Sequence, residues 1–387
     1  MGQLKRKLHI WAAAVLAFFL YSLLSPFPSY AAAGLDLKCK GAVLVEAQSG
    51  KVLYEKNSHL KWYPASMTKI MTLVLALEAV RDGRASLNEK VVASENACSY
   101  GGTQVWLKPG EEFSLKEMLI AIAVGSANDC CVAVAEHLAG TEEAFVDMMN
   151  KRAEELGAKN THFANSHGLH NDNHYTTPYD LALISRYAIT LPHMLELTSI
   201  KEYTFREKPK LVLYNTNKLL WWFEGTKGLK TGTTDKALRN LTAVAERNDL
   251  TLISVVMGCE EDRGHFTESM KLLRYGFARY TYKHFYSKGK QIAQAKVGKG
   301  NVDKIGVVPK ENIGVAVPKG ENISIKVRCE LPKLVDAPVK KGEVIGNAVV
   351  LEGDKKVFSV PLCAAEEIKR ASFFNMFKKV FFSIFSM

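Results

Sequence analysis

A chain of 387 residues, 47% of them hydrophobic, is long enough for two or three domains with ordinary cores. Its net charge of +11 points to an anionic partner: nucleic acid, a membrane or a wall polymer. The Lys and Arg residues are spread along the chain, with no basic run interleaved with aromatics, and this excludes nucleic acid.

The first segment, 1–33, reads as a secretory signal. Lys5, Arg6 and Lys7 precede the apolar run "IWAAAVLAFFLYSLL", and small residues follow at Ala31, Ala32 and Ala33. An uncleaved anchor is the alternative; both place the remainder outside the cytoplasm. "GAVLVEAQSGKVLYEKN" alternates apolar and polar around Ser49-Gly50, the pattern of a β-hairpin. A helix is predicted from Ser66 to about Asp82-Gly83, and the pattern over 115–157 is helical. Thr177 and Pro178 cap a further helix over 178–190. Strands follow over 203–258, with a turn at Asn248-Asp249, and "FTESMKLLRYGFARY" is a helix closing this block near 285. Segment 289–365 has short alternating runs punctuated by Gly, Pro and Lys, the pattern of a small all-β sandwich. In 366–387, Phe373, Phe374, Phe377, Phe381, Ile384 and Phe385 recur at helical spacing, with Lys369, Arg370, Lys378 and Lys379 between them. Too interrupted to span a bilayer, this helix suits a membrane interface; docking on the protein's own core is the alternative.

Seven cysteines (39, 98, 130, 131, 259, 329 and 363) are odd in number and contain no C-x-x-C pair. They read mostly as small buried apolar residues and leave one disulfide open.

The chemistry starts at "PASMTKIMT". Ser66 and Lys69 stand three apart and share a helix face, beside an apolar run in which a cationic Lys is costly to bury. Near the first turn the backbone N–H groups are free, and the dipole's positive end faces the hydroxyl. A desolvated Lys beside a second cation can lose its proton and act as base for the Ser. In "GSANDC", Ser126 and Asn128 would diverge by about 200° on a helix, but can face one cleft from an extended or turn segment. There Ser126 could relay a proton, and Asn128 could hold Lys69 and a substrate amide. In "GLKTGTT", Lys230 supplies a positive charge for a carboxylate, which would lower the pKa of Lys69. Gly232 leaves an edge strand open to an extended peptide.

Together, S-x-x-K, S-x-N and K-T-G in one exported chain resemble the penicillin-binding protein and serine β-lactamase superfamily. The stretches "PASMTKIMT", "VGSANDCCVAVAEHLAGTEEAF", "NSHGLH", "HYTTPYDLALISRYAI" and "KGLKTGTT" are similar to the low-molecular-mass serine D-alanyl-D-alanine carboxypeptidases. That resemblance implies an α/β (α+β) fold. The catalytic domain, 34–288, would be β-lactamase/transpeptidase-like, with an antiparallel sheet flanked by helices. The β sandwich and the terminal amphipathic helix would be accessory parts, the helix holding the protein on the outer face of the cytoplasmic membrane.

It also implies a mechanism. Ser66 attacks the bond between the terminal D-alanines of a peptidoglycan stem pentapeptide, and Lys69 takes its proton. Ser126 and Lys230 pass a proton to the leaving D-alanine. The N–H groups of Ser66 and Thr233 form the oxyanion hole, and Lys230, Thr231 and Thr233 meet the substrate carboxylate. β-Lactam antibiotics acylate Ser66, and neither cofactor nor metal is required. The alternatives are a β-lactamase, for which no Glu with a Leu-Asn pair is found, and a catalytically silent penicillin-binding wall protein.

Two departures from the family stand out. "KALRNL" replaces the common Ala-Gly-Tyr after K-T-G-T-T and is similar to a sporulation-associated subset. In "GCEEDRGHF", Arg263 is the candidate for carboxylate binding, with His265 competing. His162, His167, His170 and His174 are close in sequence, but their spacing fits no common zinc site; the resemblance makes "NSHGLH" a structural loop. "LLWWFEG" reads as core or loop packing, with ligand contact as the alternative, and "YGGTQVWLKPGE" as a loop over the cleft.

Overall fold

The computed structural model describes residues 35–321 and 323–372. The signal expected at 1–33 and most of the expected terminal helix lie outside them.

The hairpin forms as β1 (Gly41–Glu46) and β2 (Val52–Lys56). A 3-10 turn, Ala65–Thr68, carries Ser66 and leads into α1 (Lys69–Arg81). Then come β3 (Lys90–Val92), α2 (Glu95–Ser99), β4 (Glu112–Ser114), α3 (Leu115–Ile120), α4 (Asn128–Ala139), α5 (Glu142–Glu155), α6 (Pro178–Ala188) and α7 (Met194–Ser199). The expected strand block holds β5 (Glu202–Glu207), β6 (Lys210–Tyr214), the short α8 (Leu219–Trp222), β7 (Thr226–Thr234), β8 (Leu238–Arg247) and β9 (Leu250–Cys259). The closing helix, α9 (Gly264–Arg279), ends earlier than expected.

The main sheet is antiparallel, in the order β2-β1-β9-β8-β7. Its central strands are buried on both faces, so their sequences are nearly continuous apolar runs. Val43 and Val45 join the core formed with α1 and α4, while Leu44 and Leu252 meet α9 on the opposite face at Gly276. Apolar on all sides, α1 is buried from Lys69 through Ala79 and forms the centre of that core.

Helical structure from α3 stops at Ser126. The last turn widens to a π-turn over Ala121–Gly125, and Ser126 adopts a left-handed conformation (φ 63°). The helical reading of 115–157 is thus interrupted here, and the break supplies the turn that lets the Ser126 and Asn128 side chains face one region. The loop before it is pinned by Asp129, whose buried carboxylate accepts from the N–H groups of Val105 and Leu107 at 3.1 Å.

The C-terminal part is all-β. Strand β10 (Tyr280–Tyr286) follows α9 directly and pairs with β13 (Ile313–Pro318), so it belongs with the later strands, not with the catalytic block as expected. A six-stranded sheet contains β11 (Ala293–Gly298), β12 (Lys304–Pro309), β14 (Ile325–Glu330), β15 (Val335–Asp336), β16 (Val344–Glu352) and β17 (Lys355–Ala364). Residues 366–372, expected as the start of a helix, run extended, with bridges from Ile368 to Val339 and from Arg370 to Gly300. Ile368 is buried in the β core, which removes this part from any membrane-facing helix.

Gly168 (φ 88°) lies against the Ser66 turn, where an added Cβ would sit 1.9 Å from the Ala65 carbonyl oxygen. Gly168→Ala is therefore expected to destabilise the protein by more than about 2 kcal/mol. Urea unfolding measures this, and an unchanged midpoint would contradict the close approach.

Candidate active site

Ser66 and Lys69 meet because the 3-10 turn aligns side chains three residues apart. Lys69 is fully buried, and its Nζ lies 2.9 Å from Ser66 Oγ. It also lies 2.8 Å from Asn128 Oδ1 and 2.6 Å from the His167 carbonyl oxygen. Asn128 is fixed in orientation, because its Nδ2 donates to the Gly101 carbonyl at 2.8 Å.

These partners suit both states of the amine: an ammonium donates to all three, Ser66 Oγ included, whereas the neutral amine reverses the Ser66 contact. Asn128 Oδ1 and the His167 carbonyl can only accept. A neutral amine has two N–H groups and one lone pair. With the two hydrogens engaged by those acceptors, the lone pair is left for the Ser66 O–H. Burial, the largest cause, brings the Lys69 pKa down from 10.5 to about 8. Lys230, on β7, is also buried, and its Nζ donates to the Thr231 carbonyl at 3.2 Å. Its pKa is held well below the ordinary value, first by burial and then by the charge of Lys69. Desolvation is thus the dominant cause for both amines, and repulsion between them opposes double protonation. The expected lowering of Lys69 by its dry surroundings is found, whereas the expected lowering by Lys230 is not among its causes; the charge of Lys69 lowers Lys230 instead.

Above this pair is a cleft of about 430 Å³ lined by Ser66, Ser126, Thr231, Gly232 and Thr233. Lys69, Asn128 and Lys230 are buried beside residues that line it: Lys69 bonds Ser66 and Asn128, and Lys230 precedes Thr231 on β7. A larger hollow, about 520 Å³, lies where the catalytic and β domains meet and holds none of the motif residues. Strand β7 is the edge of its sheet, and Gly232 allows it to press against the serine turn: an added Cβ would lie 2.4 Å from the Pro64 carbonyl oxygen. Arg263 lies at the rim of the cleft, with its side chain 73% exposed and 3.9 Å from Asp262. His265 also lines the cleft; its burial lowers its pKa to about 4.

Sequence reasoning missed several contributors. Arg239 on β8 stands opposite Thr233 and lines the cleft, with its guanidinium held by the Glu260 carbonyl at 2.9 Å and near Asp262 at 3.4 Å. The replacement of the family's usual Tyr within "KALRNL" was its sequence signal. Thr216 accepts from Thr231 Oγ1 at 2.7 Å. The His167 and Gly101 carbonyls are backbone groups and leave no side-chain signal. The His167 ring is neutral, its pKa lowered to about 3 by burial and by Lys69; its Nδ1 accepts from Leu169 N–H at 3.1 Å. Buried His174 contacts Thr68 Oγ1 at 2.7 Å, making its loop a support for the serine turn. Of the aromatic cluster, Phe223 is buried, whereas Trp222 lines the cleft and packs edge-on against Phe266.

Residues 29–261 match the family described as D-alanyl-D-alanine carboxypeptidase, and residues 280–370 match the C-terminal domain of penicillin-binding protein 5. The chain belongs to the D-alanyl-D-alanine carboxypeptidase family. It is 38% identical over 345 residues to D-alanyl-D-alanine carboxypeptidase DacF of Bacillus subtilis, covering 88% of this chain and 89% of that one. To DacA of Escherichia coli it is 34% identical, covering 88% of this chain and 86% of the relative. The crystal structure of penicillin-binding protein 5 from Haemophilus influenzae superposes with a TM-score of 0.69 at 33% identity, covering 87% of this chain and 98% of that chain. The expected fold, a mixed α/β catalytic domain with a C-terminal all-β domain, is therefore that of the family.

Gly232→Ala should lower stability by about 1–3 kcal/mol, because β7 and the serine turn cannot both stay in place. Urea unfolding tests this, and a neutral effect would argue against the docking.

Proposed function

We propose that this enzyme removes the terminal D-alanine from peptidoglycan stem pentapeptides through an acyl-enzyme on Ser66, and that β-lactams acylate the same hydroxyl. The observation that carries the reading is the Ser66 hydroxyl 2.9 Å from a buried, depressed-pKa amine, beside an open cleft. Membership of a carboxypeptidase family supplies the substrate class.

The peptide would lie extended along the free edge of β7, its scissile carbonyl over Ser66. Lys69 accepts the Ser66 proton as the oxygen attacks. The N–H groups of Ser66 and Thr233 stabilise the oxyanion. Ser126 and Lys230 pass a proton to the departing amine, and water then hydrolyses the ester. The terminal carboxylate meets Thr231, Thr233 and Lys230; its negative charge favours protonation of Lys230, offsetting the dryness of the site. Two arginines serve the same end of the cleft. Arg239 is the principal one, because Glu260 and Asp262 hold its guanidinium, while Arg263 is largely exposed.

The basic leader pattern at 1–33 and the Phe- and Lys-rich 373–387 segment support an exported protein held at the outer face of the cytoplasmic membrane. No helix among the described residues is long and apolar enough to cross a membrane.

Penicillin should add one covalent adduct by intact mass, and a peptide ending in D-Ala-D-Ala should release D-alanine. Ser66→Ala should abolish both; an adduct or release retained in the variant would remove Ser66 from its role. Rapid penicillin turnover in place of a lasting adduct would support a β-lactamase, and an adduct without D-alanine release a catalytically silent binder. For the wild type, kcat/KM should rise with pH along a limb near pKa 8, because below it Lys69 carries a proton and cannot accept another. Lys69→Arg should lower kcat/KM by about 10²–10⁴-fold and remove that limb. Arg239→Gln should raise KM by roughly tenfold or more with little change in kcat, and Arg263→Gln by much less. The reverse ranking would return the carboxylate contact to Arg263.

A further inference from the structure

Cys39 and Cys259 lie on two chain segments that run side by side. The last register pair of β1 and β9 is Gly41 with Met257, and continuing that register by two residues would set positions 39 and 259 opposite each other. The Lys40 N–H is shared between the Met257 and Gly258 carbonyls at 3.0 and 3.3 Å, so the two segments stay in contact, irregularly, to that point. Gly258 (φ 71°) makes this approach feasible, since an added Cβ would lie 2.4 Å from Lys40 Cγ. The two side chains are close enough for each to be the largest cause of the other's pKa shift. Directly opposed antiparallel residues have Cα atoms about 4.5–5.5 Å apart, within the span of about 4.4–6.8 Å that a disulfide bridges.

We propose that Cys39 and Cys259 are a disulfide site, closed by thiol–disulfide exchange with a disulfide-bearing oxidant, RSSR. The Cys39 thiolate attacks RSSR, forming a mixed disulfide and releasing one RS⁻. The Cys259 thiolate then attacks the Cys39 sulfur and releases the second. Two protein thiols are oxidised to one disulfide, and RSSR is reduced to two RSH after protonation.

Access and reactivity favour this order. Cys39 is only partly buried and opens on a hollow of about 350 Å³ shared with Lys38, Lys40, Lys56, Glu260 and Glu261. Its thiol is lowered first by the neighbouring Cys259 side chain, with Lys56 adding to the effect; Cys259 is buried and raised. The more accessible, more acidic thiol is thus the one placed to meet the oxidant. The other cysteines differ: Cys130 and Cys131 are fully buried in the core around α4, and burial raises both.

The cross-link would fix a functional edge. Cys259 is the register partner of Arg239, and residues 260–263 follow it at the rim of the cleft. Closing the bond ties the entry of β1 to the end of β9, and so to the backbone that holds Arg239.

Incubation of the purified full-length protein with oxidised glutathione, followed by thiol counting in denaturant, tests this. With seven cysteines in the chain, one disulfide leaves five titratable thiols, and non-reducing peptide mapping should show the Cys39–Cys259 pair. Oxidation should raise the thermal midpoint by roughly 5 °C relative to the reduced protein. Cys39→Ser should abolish the linked peptide and the midpoint shift, while Cys98→Ser should keep both. Seven free thiols after oxidation, or linkage of Cys259 to another cysteine, would overturn the proposal. Neither readout depends on the proposed peptidase activity.

Discussion

The site depends on placing an amine where it is poorly solvated and already hydrogen bonded to two carbonyl-type acceptors. Water would stabilise the Lys69 cation, and the fold withholds it: the side chain is fully buried under the serine turn. The acceptors on Asn128 and His167 then restrict where its hydrogens can go. The two constraints work together. Burial makes the neutral form accessible, and the geometry aims the lone pair at Ser66. Either alone would leave an ordinary lysine or a misdirected one.

Much of the molecule serves to hold those acceptors. Asn128 is presented by the π-turn and the left-handed Ser126, while the Gly101 carbonyl fixes its amide. The His167 carbonyl is set by a loop anchored elsewhere: Ser166 donates to the buried Glu142 from both its N–H (2.9 Å) and its Oγ (2.6 Å). Glu142 also receives the Tyr100 hydroxyl at 2.7 Å, so α5 and the loop that follows α2 are tied to the same support. The glycines at 168 and 232 let two backbones approach the serine turn from different sides. Pre-organisation of this kind leaves little to be rearranged when charge develops at the reacting carbonyl.

The three motifs and most elements were legible because their signals are local. A mostly apolar run marks α1, alternation marks the hairpin, and the awkward Lys at the start of that run marks the nucleophile's partner. The break at Ser126 was hidden by an apolar pattern that runs through it; side-chain divergence showed only that a turn there would let Ser126 and Asn128 share a cleft. What remained hidden depends on tertiary structure. The His167 carbonyl carries no residue-type signature. Arg239 reaches the cleft only because β8 pairs with β7 in a particular register. The pairing of β10 with β13 was obscured because β10 follows α9 without a break, and the extended 366–372 segment because its helical spacing is overridden by Ile368 inserting into the β core. Cys39 and Cys259 are far apart in sequence, and only strand pairing brings them close.

The most direct test of this account is the protonation state of Lys69 itself, followed through its side-chain NMR signals across pH, with Lys69→Arg used to assign the resonance. The account predicts a midpoint near 8, far below the ordinary lysine value of 10.5. A lysine that stays charged to pH 10 while the fold is intact would contradict it, because no neutral amine would then stand beside Ser66 at the pH where the enzyme works.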